Sequence, residues 1–254
     1  MALFNDGPIS SEIDLQNYES GILGVASTEG IDLEGKMMLA QDEIASELMM
    51  FLLRRLPISD LRWNTRRARG TSDVVITAPL KQWHALKTLA LVYRDSYNNQ
   101  LNDRYLSKWN EYESLAKTSA ETYLQIGVGL VSDPLPRPAV PLLLGVNGPG
   151  KAATYYVAVT WTNAAGDESS PSEVAVITTS DGQELAVTVV GPPANASGWN
   201  VFAGEAPSQL MLQNGSPIGF SDSWTACSIA AGRPPGPGQM PTWFCVDQKV
   251  IERG

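Results

Sequence analysis

The fold is decided by the stretch Pro79-Leu-Lys-Gln-Trp-His-Ala-Leu-Lys-Thr-Leu-Ala-Leu-Val-Tyr-Arg-Asp-Ser-Tyr-Asn-Asn-Gln-Leu101. Its apolar residues recur every three or four positions, which is the spacing of one face of an α-helix. Pro79 suits the first helical turn, where a missing N–H costs no hydrogen bond. Because the apolar face is wide and includes Trp83, it must pack against other helices. The stretch therefore predicts the central helix of a small bundle.

The residues before this helix are punctuated by capping residues and glycines. Residues 1–9 have the composition of an irregular arm, and Ser10 or Ser11 can cap a short helix that runs to about Tyr18. Glycines follow at positions 21, 24 and 30. Because glycine weakens helices, we expect these positions to break the structure that follows.

Two more long helices are predicted from the same apolar spacing. One runs from Leu33 to Leu56, where Pro57 ends it. The other runs from Arg104 to about Ile126, with Asp103 as its cap. With the central helix, they predict an all-α bundle over residues 1–133.

Methionines and the single histidine of this bundle allow more than one interpretation. Met37, Met49 and Met50 either form an adaptable binding surface or fill gaps between helices, and the second is the more common role. His84 has no second histidine or cysteine pair at the spacing of metal ligands, so we interpret it as a buried structural residue.

One basic segment interrupts this otherwise acidic part of the chain. It holds six arginines within sixteen residues: Arg54, Arg55, Arg62, Arg66, Arg67 and Arg69. They either contact phosphate or an acidic partner, which Arg binds bidentately, or form a solvated loop with weak salt bridges. No helix-turn-helix or zinc-finger spacing surrounds them, which disfavours sequence-specific reading of DNA.

The composition changes near residue 133. The charged residues Asp, Glu, Lys and Arg number 31 in residues 1–133 and 14 in residues 134–254. The junction Asp133-Pro-Leu-Pro-Arg-Pro-Ala-Val-Pro141 holds four prolines in nine residues, which favours a stiff, extended linker. We therefore divide the chain into a helical domain (1–133), a linker (134–141), a β-domain (142–232), and a hinge with a C-terminal tail (233–254).

The β-domain is predicted from short alternating segments separated by turns. The clearest is Thr154-Tyr-Tyr-Val-Ala-Val-Thr-Trp-Thr162. Short strands at this spacing predict an all-β sandwich. The other predicted strands cover Leu142–Val146, Glu173–Thr179, Leu185–Val190, Gly198–Phe202, Leu210–Gln213 and Ser223–Cys227.

The extended tail that follows carries apolar side chains beyond a sandwich that is already complete. Such side chains need a surface to cover them, so the tail either docks on its own domain or adds a strand to a partner. The five apolar residues are Trp243, Phe244, Val246, Val250 and Ile251.

Charge, hydropathy and cysteine content exclude several classes of protein. The net charge of −9 disfavours a dedicated nucleic-acid binder, and no apolar run is long enough to cross a bilayer. No signal peptide is recognisable, so we expect Cys227 and Cys245 to be reduced thiols. No catalytic or metal-binding constellation is present in the sequence, so we expect neither an enzyme nor a cofactor.

The β-domain resembles fibronectin type III-like modules of the immunoglobulin-like class. The resemblance rests on Tyr155-Tyr-Val-Ala-Val-Thr-Trp-Thr-Asn-Ala-Ala-Gly-Asp-Glu-Ser-Ser-Pro-Ser172 and on Gly198-Trp-Asn-Val-Phe-Ala-Gly204, which is similar to a strand of such modules in virion proteins. Phe202 stands where those modules usually have tyrosine. Trp161 and Trp199 are either core residues or carbohydrate platforms.

The helical domain resembles the head-to-tail adaptor (connector) proteins in the neck of tailed bacteriophages. The resemblance rests on Ile31-Asp-Leu33 with the long helix after it, the Arg-bearing loop, Leu80-Lys-Gln-Trp-His-Ala-Leu-Lys-Thr-Leu-Ala-Leu-Val-Tyr-Arg-Asp95 and the Tyr-rich last helix. Such adaptors form a ring, typically of twelve subunits, whose helices build the wall and whose C-terminal segment grips the portal protein.

This resemblance implies a structural virion protein, made in the bacterial host cytoplasm, that joins the portal to the tail. It implies a homo-oligomeric ring that contacts a tail terminator, stopper or other neck protein and lets double-stranded DNA pass without sequence recognition. The five apolar tail residues would bind the portal. Four arginines would lie at a subunit contact or near the DNA channel, namely Arg62, Arg66, Arg67 and Arg69.

A carbohydrate- or host-surface-binding virion protein is the alternative. In that case the helical domain would only oligomerise, and Trp161 and Trp199 would carry the binding.

Overall fold

The computed structural model describes residues 1–55 and 70–246, and the chain forms two units. The helical unit contains residues 7–132 together with the described C-terminal residues 241–246, whereas the β unit contains residues 1–6 and 133–240. The chain therefore leaves the helical unit after Ser132 and returns to it at Pro241. Residues 1–6, which the sequence-based division places in the helical domain, thus belong to the β unit, and the predicted hinge-and-tail segment divides between the two units at Pro241.

Five helices form the described part of the helical unit. They are α1 (Glu12–Tyr18), α2 (Ile22–Glu29), α3 (Leu33–Arg55), α4 (Ala78–Gln100) and α5 (Asp103–Ile126). Ser11 caps α1 with a capping box that includes Asp14, and Asn102 rather than Asp103 caps α5 by accepting from the amide of Arg104. The predicted short helix and the three long helices are confirmed.

Helix α2 was not expected. Gly21 is its N-cap and Gly30 ends it in the left-handed conformation, with φ of 63°. Only Gly24 lies inside the helix, where it costs roughly 1 kcal/mol relative to alanine. Burial of Ile22 and Ala26 in the helical core offsets that cost.

Helix α4 is central, as predicted, and it contacts α1, α2, α3 and α5. Because neighbours surround it, Ala85, Thr88 and Val92 are buried in addition to the predicted apolar stripe. Helices α4 and α5 form an antiparallel hairpin with aromatic contacts along its length. Trp83 lies 6.0 Å from Tyr123 between ring centroids, and Tyr93 stacks on Tyr112 at 5.6 Å.

The β unit consists of two antiparallel sheets that share one core. Its strands, numbered after β1 (Val128–Leu130) of the helical unit, are β2 (Leu142–Asn147), β3 (Ala153–Thr162), β4 (Ala175–Thr179), β5 (Gln183–Thr188), β6 (Gly198–Gly204), β7 (Met211–Leu212) and β8 (Trp224–Ala226). One sheet has the order β2-β5-β8 and the other β4-β3-β6-β7. Both contribute to the core, for example through Val187 of the first sheet and Val159 of the second. The prediction of a helical domain followed by a β-domain is confirmed.

The two ends of the chain segment 133–240 are joined within the β unit. Gln239 is buried; its side-chain oxygen accepts from the Leu135 amide at 2.7 Å, and its Nε2 donates to the Asp133 carbonyl at 2.9 Å. Leu135 lies in the core. The Pro-rich junction is therefore part of the β unit.

Candidate interaction site

The C-terminal segment forms a strand on the helical unit. Strand β9 (Trp243–Cys245) pairs antiparallel with β1 (Val128–Leu130), and Val128 is opposite Cys245. On its other side β1 bonds to the segment before α4, where the Val75 amide donates to Gly129 at 3.0 Å and the Val131 amide donates to Asp73 at 2.9 Å. Strand β1 is therefore held from both sides.

Polar contacts fix the point where the C-terminal segment reaches the helical unit. The Thr242 amide donates to the Leu130 carbonyl at 2.9 Å, and the Thr242 hydroxyl accepts from the Ser132 amide at 3.0 Å. Leu130 is the last residue of β1, and Ser132 lies two residues after it. The segment that leaves the β unit is thus anchored before β9 begins.

Two glycines make room for the side chains of this segment. A Cβ at Gly127 would stand 2.7 Å from Cγ1 of Val246, and a Cβ at Gly129 would stand 2.9 Å from Cγ of Pro241. Gly127 also has φ of 114°, which side-chain-bearing residues rarely adopt. Only glycine fits the backbone and the close approach at position 127.

The predicted tail residues occupy different environments on this ribbon. Trp243 is half-buried and the neighbouring Cys245 is buried, whereas Phe244 and Val246 are 51% and 40% exposed. Ile126, which precedes Gly127, is also exposed. We call Phe244, Val246 and Ile126, the exposed apolar residues of β9 and of the chain next to it, the tail patch. Val250 and Ile251 lie outside the described residues.

The other predicted site residues either lie outside the described residues or are buried. Arg62, Arg66, Arg67 and Arg69 lie outside the described residues. Trp161 and Trp199 are 2% and 0% exposed in the core of the β unit, and the Trp199 indole donates to the Gly219 carbonyl at 3.0 Å. An indole in this position offers no face on which a sugar can stack.

Helix α3 has an outward surface of unusual composition. Its core-facing side is buried through residues such as Ile44 and Leu48. At 3.6 residues per turn, the exposed apolar residues fall within an arc of about 120° on the opposite side, interrupted by Asp42 and Ser46. We call this surface the α3 patch; it comprises Met38, Leu39, Met49, Met50 and Leu53.

Helix α5 differs from α3 in this respect. The exposed side of α5 is mostly polar or charged, for example at Glu111, Lys117 and Glu121. Of the three methionines considered from the sequence, Met37 is in the core, whereas Met49 and Met50 are exposed. The interpretation of these methionines as core residues is therefore right only for Met37. Met49 and Met50 fit the alternative of an adaptable binding surface.

His84 has a structural position at the centre of the helical unit. It is fully buried, its Nε2 donates to the Met37 carbonyl at 2.9 Å, and its Nδ1 accepts from the Ser10 hydroxyl at 2.6 Å. The carbonyl can only accept, so the neutral Nε2–H tautomer satisfies both bonds. Burial lowers the pKa of His84, which favours this neutral form.

Within the described residues, no group of three or more His, Cys, Asp or Glu side chains is arranged to hold a metal ion. No helix in these ranges is long and apolar enough to span a membrane. No protein-family model matches the chain, and no curated protein matches it in sequence.

Proposed function

We propose that the protein is a ring-forming adaptor in the neck of a tailed-phage virion, joining the portal to the tail while DNA passes through its channel. The path of the chain is the observation that carries this proposal. Strand β9 lies on β1, so residues 133–240 of the β unit are inserted between two paired strands of the helical unit. Val246 therefore belongs to the helical unit, which is the part of the chain that resembles the adaptors. That resemblance implies that the C-terminal segment of the chain binds the portal.

The tail patch supports the same role. Phe244 and Val246 are held at the surface by β9, while Cys245 between them is buried against β1. Strand alternation therefore gives the segment one face for the fold and one for a partner. Aromatic residues such as Phe244 are enriched in protein–protein interfaces.

The inserted β unit would be an immunoglobulin-like or fibronectin type III-like sandwich that decorates the ring. Two antiparallel sheets of three and four strands around a common core are consistent with that class. The net charge of −9 supports a channel that repels duplex DNA and lets it slide.

The test is the native mass of the purified chain, alone and mixed with the portal ring of the same virus. We expect a portal complex carrying roughly twelve copies of the 27.4 kDa chain. Phe244→Asp should abolish binding to the portal, whereas Leu115→Asp, at an exposed apolar position of α5, should not. A chain that stays monomeric and ignores the portal ring would refute the proposal.

A further inference from the structure

We propose that the α3 patch of one copy packs against the α1–α2 surface of a second copy. The inference rests on the proposed ring, because it names the surfaces through which successive subunits meet. It follows from three observations: an apolar face on α3 that the described residues of the helical unit leave exposed, exposed apolar residues on α1 and α2, and opposite charges beside Leu53 and Ile13.

The α3 patch has the composition of a face that is buried in the assembled protein. Met38 and Leu53 are 64% and 66% exposed although they lie on a 23-residue helix whose other side already forms the core. Helices at a protein surface normally carry polar residues on the outward side, as α5 does. An apolar outward side marks an interaction surface.

The second surface lies on the first two helices. Ile13 of α1 is 69% exposed, and Tyr18 and Leu23 are exposed as well. It differs from the α3 patch, and a contact between two different surfaces of identical chains is heterologous. Such contacts repeat from copy to copy and close into a ring when the rotation permits.

Charge complementarity selects a second copy as the occupant. Residues 7–35 contain six acidic residues and no Lys or Arg. Exposed Glu12 lies next to Ile13 in α1, and exposed Arg54 lies next to Leu53 in α3. The Leu53 end of the α3 patch and the Ile13 end of the α1–α2 surface thus carry opposite charges. We therefore place these two ends in contact, away from the exposed Asp42 that lies earlier in α3.

A mixing experiment tests this arrangement. Leu53→Glu disables the α3 patch and Ile13→Glu disables the α1–α2 surface; both positions are mostly exposed, so the variants should fold, and circular dichroism verifies this. Each variant alone should lose the assemblies formed by the unmodified chain. An equimolar mixture retains one intact pair of surfaces and should give a dimer of twice 27.4 kDa by native mass spectrometry.

The charges provide a second arm with its own control. Arg54→Glu should raise the concentration needed for half-assembly by about tenfold or more, and adding Glu12→Arg should restore it. Leu115→Glu on α5 is the matched control and should leave assembly unchanged.

Several outcomes would overturn the inference. One is assembly of both single variants as in the unmodified chain; another is a mixture that contains only monomers. A third is an unmodified monomer in which Met49 and Met50 resist oxidation by hydrogen peroxide, because the face would then be covered within the chain. If Leu53→Glu is monomeric but still binds the portal, the adaptor proposal stands. If the unmodified chain assembles but does not bind the portal, only the adaptor proposal is refuted.

Discussion

Replacing Gly129 with alanine tests how the C-terminal strand β9 packs against β1. A Cβ at this position would stand 2.9 Å from Cγ and 3.2 Å from Cβ of Pro241, and 3.4 Å from Cε1 of Phe244. The φ of Gly129 is not positive, so the backbone accepts alanine without strain. The nearest atoms all belong to the C-terminal segment, and it is this segment that must move.

Overpacking by a methyl group costs about 1–3 kcal/mol. Because the segment can open without unfolding α4 and α5, we assign this cost to local opening of residues 241–246. The open population should then rise roughly 5- to 150-fold. Hydrogen exchange measured by mass spectrometry would report this as faster exchange of the Thr242 amide, which donates to Leu130 in the closed state.

Gly24→Ala is the matched control. Gly24 lies inside α2 with no atom within 4 Å of an added Cβ, so alanine should stabilise the helical unit by roughly 0.5–1 kcal/mol. It should not change exchange in residues 241–246. Unchanged or slower exchange in Gly129→Ala would refute the docking of β9 on β1.

Three further predictions concern single residues. Burial depresses the pKa of His84, so below pH 6.5 this residue binds fewer protons in the folded state than in the unfolded chain. Its contribution should lower the unfolding free energy of the helical unit as pH drops from 6.5 to 5, by at most about 1.4 kcal/mol per pH unit. Urea titrations at several pH values would measure this slope, and the difference in slope between the unmodified chain and His84→Gln gives the contribution of His84. Leu101 is 71% exposed and ends α4 with a φ of 52°, a conformation that glycine adopts without strain. Leu101→Gly should therefore raise the unfolding free energy of the helical unit by roughly 0.5–1 kcal/mol, measured by calorimetry. Leu101→Ala should not raise it. Gln239→Ala removes the bonds to Asp133 and Leu135 and should speed exchange of the Thr242 amide by roughly tenfold; exchange equal to the unmodified chain would contradict it.

Most helices of the helical unit can be predicted from local sequence pattern. The apolar spacing of α3 and α4 and the capping residue Ser11 were sufficient to predict their type and approximate bounds. The sequence does not predict helix α2, because all three glycines count as helix breakers. Gly21 and Gly30 do lie at its ends, but Gly24 lies inside it. The free-energy cost of one glycine in a helix is small beside the free energy gained by burying Ile22. Only the tertiary structure shows that Ile22 is buried.

The tail shows where local pattern stops. The sequence indicated that Trp243, Phe244 and Val246 need a surface, but it left open whether that surface belongs to this chain. The partner of β9 is β1, where Val128 meets Cys245 from more than a hundred residues away. No periodicity encodes such a pairing, because it depends on where a whole inserted unit returns the chain.

The β unit itself makes that return favourable. Ser132 and Thr242 are bonded across 110 residues, a loop whose closure costs conformational entropy. Gln239 already holds Leu135 across 104 of these residues inside the β unit, so only about six residues remain to be closed when β9 docks. At about 0.6 kcal/mol for each halving of loop length, this shortening favours docking by roughly 2.5 kcal/mol. Folding of the inserted unit therefore stabilises the strand that presents the tail patch, and any change that loosens its two ends should weaken partner binding through a surface it does not touch.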